Sequence, residues 1–100
     1  MEKSTAHYDL TKMQADIAEV GDAAFTVSAI NGGAAMGLTT TEMLVVIASL
    51  TRRLFYKSMT TYHDHRVWQD VYHGVCPNGL TAYVKLTHVA DRIVIQFKEK

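Results

Sequence analysis

Hydrophobic positions in the first half of the chain recur every three or four residues, and beyond Arg53 they recur every two. Leu10, Met13, Ile17 and Val20 form one apolar stripe at helical spacing. Asp9 can cap that helix and Gly21 suits its end. A short, weaker helix is expected over Phe25 to Asn31, broken by Asn31-Gly32-Gly33. Thr39-Thr40-Thr41-Glu42 has the form of a capping box, in which the Thr39 side chain and Glu42 satisfy each other's backbone N–H groups. The MLVVIASL run that follows is apolar nearly all round, which predicts a buried central helix.

The period-two region gives four candidate strands: Leu54 to Thr61, Val67 to Tyr72, Ala82 to Val89 and Arg92 to Lys98. Pro77-Asn78-Gly79 is a turn signal between the second and third. Helices followed by strands predict a single α+β domain over residues 1–100, with N-terminal helices packed on a mostly antiparallel C-terminal sheet.

Alternation fixes the register of the last hairpin. Val84, Leu86 and His88 alternate with Tyr83, Lys85 and Thr87, and Ile93, Ile95 and Phe97 alternate with Val94, Gln96 and Lys98. The apolar faces coincide if a two- or four-residue loop is centred between Ala90 and Asp91. Tyr83 then lies opposite Lys98, and Lys85 opposite Gln96, on the polar face. A one-residue slip would bury Gln96 and Lys98, which is costly. The first hairpin is less determinate, because Val67 to Tyr72 is apolar on both faces in places. Lys57 and Gln69 share a face if the intervening loop has an odd number of residues, as a five-residue loop from Thr61 to His65 would.

Composition narrows the function classes. Hydrophobic residues are 48% and charged residues 20% of the 100 positions, which describes a globule rather than a disordered chain. Net charge is zero with His neutral, which argues against strong, indiscriminate nucleic-acid binding but leaves room for a local basic patch. One cysteine, Cys76, excludes an internal disulfide and fits a reducing cytoplasm. The opening MEKSTAHYDL has no apolar signal region, and no apolar run approaches the ~20 residues that span a bilayer. A cytoplasmic protein without membrane partners is expected. NGGAAMG lacks the Lys-Ser/Thr pair and the preceding strand of a phosphate loop.

The chemistry concentrates in FYKSMTTYHDHRVWQDVY, Phe55 to Tyr72, and in the final hairpin. Aromatics beside amide and cationic donors suit a splayed single RNA strand. They also suit an ordinary half-buried sheet. RNA cleavage needs a base for the 2′-hydroxyl proton, an acid for the leaving oxygen and cations for the charge developing on phosphorus. Lys57, Gln69, Tyr83 and Lys98 on one sheet face would serve binding and charge stabilisation without a metal.

FYKSMTTY, Asp64-His65, WQDVY and the ending FKEK resemble the motility quorum-sensing regulator (MqsR) toxins of type II toxin–antitoxin systems. The resemblance covers most of the chain. It implies a RelE-like fold and a sequence-selective endoribonuclease that cuts single-stranded mRNA without metal or other cofactor. Matched by motif, the catalytic residues are Lys57, Gln69, Tyr83 and Lys98, and Tyr56, Tyr62, His65 and Lys85 are candidates for RNA contacts. The implied reaction is attack by the 2′-hydroxyl on its own phosphodiester. Lys57 and Lys98 would hold the scissile phosphate, Tyr83 would orient or transfer a proton, and Gln69 would bond a base or phosphate. The sequence leaves the general base open. The implied partner is an antitoxin with a zinc-binding N-terminal part and a DNA-binding helix-turn-helix part, so that DNA is bound only through the antitoxin.

The chain departs from that pattern in places. It is neutral where the family is basic, with Asp16, Asp22, Ala24 and Val27 in a region richer there in Lys and Arg. HGVCPNG, His73 to Gly79, differs in length and composition. Two rival readings remain: a non-catalytic antitoxin-binding regulator that keeps the fold, and a metal-binding regulator using His63, His65 and His73. The bland reading of His-x-His is a solvated turn. Trp68 and Tyr72 read as packing residues, and Cys76, without neighbouring cations in sequence, as a structural or merely exposed thiol.

Overall fold

The computed structural model describes all 100 residues. A short strand β1 (Glu2–Lys3) precedes three helices, α1 (Leu10–Val20), α2 (Val27–Ala35) and α3 (Thr40–Ala48). Four strands follow: β2 (Phe55–Thr60), β3 (Trp68–Val75), β4 (Thr81–Val89) and β5 (Arg92–Glu99). They form one antiparallel sheet in the order β1-β2-β3-β4-β5. The α+β class and the helix-before-strand order are those the hydrophobic periods predict. No single helix is long and apolar enough to cross a membrane.

The helices cover one face of the sheet. Met13 and Ile17 of α1, Ala29 of α2 and Met43, Val46 and Ile47 of α3 pack with Tyr72, Val84, Leu86, Ile95 and Phe97. The Asp9 side chain accepts the Lys12 N–H at 3.1 Å, and both halves of the Thr39–Glu42 capping box are made. Helix α3 is central but not buried all round, since Val45 remains 55% exposed. A nine-residue helix on a sheet has one side left for solvent.

Helix α2 runs to Ala35, through the glycines expected to break it. A Cβ on Gly32 would sit 1.9 Å from the Phe97 carbonyl oxygen, and one on Gly33 would sit 2.2 Å from Met43 Sδ. The glycines are there because backbone meets backbone and sulfur at those points. That contact offsets the roughly 1 kcal/mol each glycine costs a helix. Thr26, at the start of α2, accepts the Ala29 N–H and donates to the Ile95 carbonyl. Helix α2 thereby covers the outer edge of β5, which would otherwise be an open pairing edge.

The final hairpin has the register deduced from alternation: Tyr83 opposite Lys98 and Lys85 opposite Gln96. Its two-residue turn places Ala90 and Asp91 at φ 49° and 63°, the left-handed pair that matches strand twist. In the first hairpin Met59 lies opposite Gln69 and Lys57 opposite Val71. The loop runs from Thr61 to Val67, centred on Asp64, longer than the five residues expected. Asp64 organises it: its N–H donates to Thr61 Oγ1, and its carboxylate accepts the Arg66 N–H. The Thr61 N–H closes the loop on the Val67 carbonyl. The odd loop length survives, so Lys57 and Gln69 do share a face.

Strand β1 has no sequence signal. It pairs with β2, and the segment after it is anchored by Asp70, which is 1% exposed and accepts from the His7 and Tyr8 N–H groups at 3.0 and 2.8 Å and the Ser58 hydroxyl at 2.6 Å. Tyr8 donates to the Trp68 carbonyl, His7 stacks on the Trp68 ring and the Lys3 ammonium lies 4.1 Å from that ring's centre. Trp68 and Asp70 of WQD thus dock the N-terminal segment, while Gln69 points to the other face.

Candidate active site

The sheet face opposite the helices is a grid. One row across the strands is Met59, Gln69, Thr87 and Val94, with Glu2 of β1 beside Met59. The next is Lys57, Val71, Lys85 and Gln96. The third is His73, Tyr83 and Lys98. Tyr56 joins that row through an irregularity in β2. Phe55 pairs with Tyr72 and Lys57 with Val71, so Tyr56 is the extra residue of a bulge. The bulge lets Phe55 enter the core against Tyr72 while Lys57 joins the opposite face and Tyr56 stacks on His73, with ring centres 4.5 Å apart.

Three ammonium groups lie over the two tyrosine rings of this face, two at Tyr83 and one at Tyr56. Lys98 Nζ lies 5.3 Å and Lys85 Nζ 6.0 Å from its ring centre, and Lys57 Nζ lies 5.4 Å from the neighbouring Tyr56 ring. Lys57 also pairs with Glu2 across β1 and β2. The Glu2 hydrogen bond pushes the Lys57 ammonium above its ordinary pKa, and Lys57 holds the Glu2 carboxyl below its own. Burial, then the positive charges of Lys98 and Lys57, pull Lys85 below the ordinary lysine value. The three lysines therefore share one electrostatic site. Val71 is fully buried among them, flanked by Lys57 and Lys85 in its row, where aliphatic stems can cover apolar surface under charged heads.

A shallow cleft of about 270 Å³ opens beside this cluster, lined by Tyr83, Lys85, Gln96, Phe97 and Lys98 with Ser28 and Gly32 of α2. Two larger hollows, of about 520 and 430 Å³, lie by the N-terminal segment and by α1, and neither contains the lysine cluster. An extended polyanion needs an open charged surface more than an enclosed cavity.

The sheet brings together Lys57, Tyr83, Lys85, Lys98 and Tyr56, and places Gln69 on the same face one row beyond Lys57. Tyr62 and His65 are not among them. Both lie in the Thr61 to Val67 loop, with Tyr62 92% exposed and edge-on to His63. The histidines do not converge either. His73 is in β3, and no three His, Cys, Asp or Glu side chains are placed to hold a metal ion. Cys76 is buried, and burial pushes its thiol up, away from nucleophilic chemistry.

His73 is the site neighbour that sequence reasoning overlooked. It stacks on Tyr56 and lies tilted to Tyr83, with ring centres 5.9 Å apart. A signal existed: a loop centred on Asn78 of the Pro77-Asn78-Gly79 turn pairs His73 with Tyr83. Read with His63 and His65 as a metal ligand, it stays off the sheet.

The chain matches, over residues 5–99, the family described as motility quorum-sensing regulator, toxin of MqsA. It is 40% identical over 100 residues, the whole length of both proteins, to the mRNA interferase toxin MqsR of Escherichia coli (strain K12). A match across the full sheet and all three helices carries the whole domain, so the chain belongs to the motility quorum-sensing regulator toxin family.

Proposed function

We propose that this protein is the toxin of a toxin–antitoxin pair and acts in the cytoplasm as a sequence-selective, metal-independent endoribonuclease on single-stranded mRNA. The observation that carries the reading is the gathering of Lys57, Lys85 and Lys98 with Tyr56 and Tyr83 on one open sheet face. The mRNA interferase relative, alike over its whole length, supports it. Three fixed cations can neutralise the charge that builds on a phosphodiester as the adjacent 2′-hydroxyl attacks, a task otherwise left to a metal. In this reading Lys57 and Lys98 hold the scissile phosphate, and Tyr83 orients it or passes a proton. Gln69, a row away, bonds the flanking nucleotide. Tyr56 offers an exposed ring for base stacking, and Tyr62 and His65 reach RNA further along from their loop.

The expected partner is an antitoxin with a zinc-binding part and a helix-turn-helix, so that promoter DNA is reached only through it. Expression in a bacterial host tests the reading. Growth arrest with fragmented mRNA, relieved by the antitoxin, is the expected outcome. Uninhibited growth with soluble protein and intact RNA would favour a non-catalytic antitoxin-binding regulator instead.

A further inference from the structure

Cleavage by a 2′-hydroxyl requires a group that removes its proton, and such a base must carry a free lone pair near neutral pH. The reactive face offers few. Lys57, Lys85 and Lys98 are ammonium donors whose value to the phosphate is their charge. The Tyr56 and Tyr83 rings are engaged in the stack and beside the lysine ammoniums, placed to bond a base or phosphate. Gln69 has no basic atom. The Glu2 carboxylate is occupied by Lys57, whose positive charge makes it a weaker base.

His73 remains. It occupies the row of Tyr83 and Lys98, fixed by its stack on Tyr56 and its contact with Tyr83. We propose that His73 is the general base of RNA cleavage by this protein, an inference that rests on the ribonuclease reading above. Burial, and then the positive charge of Lys100, favour its neutral imidazole, the form with a free lone pair. The titratable groups around it are Tyr56 and Lys57 from β2, Tyr83 and Lys85 from β4, and Lys98 and Lys100 from β5 and the segment after it. Every cation among them opposes protonation of the ring.

The step balances without a metal or redox partner. The 2′-hydroxyl proton passes to the free imidazole nitrogen, and the 2′-oxygen forms a bond to phosphorus. The bond from phosphorus to the 5′-oxygen breaks, and that oxygen takes a proton from an ammonium of the lysine cluster. The products are a 2′,3′-cyclic phosphate and a 5′-hydroxyl. The imidazolium then loses its proton to water and the amine regains one.

The test is single-turnover cleavage of a mixed-sequence single-stranded RNA, in EDTA, by the full chain from about pH 5 to about pH 9. The rate should rise about tenfold per pH unit on the acid side and then level off. H73F keeps an aromatic ring in the stack but accepts no proton. It and H73A should both fall by about 100-fold or more and lose the acid limb. Added imidazole should restore part of the H73A rate. A wild-type rate that is flat on the acid side overturns the inference without any variant. So does either variant cleaving within about threefold of wild type, a plain packing role being then enough. Absence of cleavage by the wild type at every pH overturns the ribonuclease reading itself.

Discussion

Tyr83 of β4 stands directly opposite Lys98 of β5, with the ammonium 5.3 Å from the centre of the phenol ring. Neither residue belongs to the motif-rich stretch from Phe55 to Tyr72. They reach Lys57 only because two further strand pairings bring β2, β3 and β4 into line, with Lys57, Val71 and Lys85 in one row. The site is a property of sheet register rather than of any local segment. Its residues sit on a sheet, the kind of preorganised element that the proposed phosphate site requires.

Glu2 occupies Lys57 in the free protein. A phosphate must displace that carboxylate to use Lys57. Glu2→Gln should therefore tighten binding of single-stranded RNA a few-fold at low salt, with the gain shrinking as salt is added. Filter-binding titrations at two salt concentrations check this. The same pairing has a pH signature. The Glu2 carboxyl is depressed, so the pair is fully present above the ordinary carboxylate pKa and lost as pH falls through the lowered one.

Gly32 separates helix propensity from packing. Propensity alone says that Gly32→Ala stabilises α2 by up to about 1 kcal/mol. The Cβ would meet the Phe97 carbonyl oxygen at 1.9 Å, a backbone atom that cannot turn aside. The substitution should instead destabilise by about 2 kcal/mol, through a shift of α2 off β5. Urea unfolding gives the sign directly.

Asp70 is the lock on the N-terminal segment, with three donors on one buried carboxylate. Asp70→Ala leaves the His7 and Tyr8 N–H groups and the Ser58 hydroxyl without that acceptor. A loss of about 3 kcal/mol is expected. The release should also show locally, as faster hydrogen exchange over residues 2 to 8 than in wild type. Loss of global stability with unchanged exchange there would mean the segment is held by other contacts.

Tyr72 predicts an alkaline limb. Burial, and then the Asp70 carboxylate, raise its phenol to about 12 against an opposing effect of Arg52. The folded state thus favours the neutral phenol. Its contribution to stability is complete below the ordinary tyrosine pKa and is lost as pH climbs from there through about 12. Unfolding free energy should fall over that window in wild type and fall less in Tyr72→Phe, measured with urea at successive pH values.

Alternation was legible wherever a strand has one clean apolar side. The β4–β5 pairing could be worked out because Val84 and Leu86 must face Ile95 and Phe97. It failed for β3, where Val71 is buried under the charged face and Asp70 is buried on the other face, satisfied by the His7 and Tyr8 N–H groups and the Ser58 hydroxyl. Both break the rule that polar means out. The bulge at Tyr56 and the strand Glu2–Lys3 leave no pattern, since one is a single extra residue and the other has only two. Asn31-Gly32-Gly33 misled because a glycine that breaks a solvated helix also permits a closely packed one. Lys57 and Gln69 still share a face, since the odd length of the first loop preserves it even though its centre moves.

The decisive measurement is cleavage of single-stranded RNA in EDTA, with analysis of the new ends, by wild type and by Lys57→Ala, Lys98→Ala. Lys98 is exposed and the Lys57 head lies at the surface, so the double variant should fold as wild type does. Loss of one cation from a preorganised charge site costs on the order of 100-fold in rate, and two should abolish detectable cutting. Wild type should yield cyclic phosphate and 5′-hydroxyl ends without added metal, and the double variant intact RNA. Undiminished cutting by the double variant would contradict the assignment of the Lys57–Lys98 face as the site of phosphodiester cleavage.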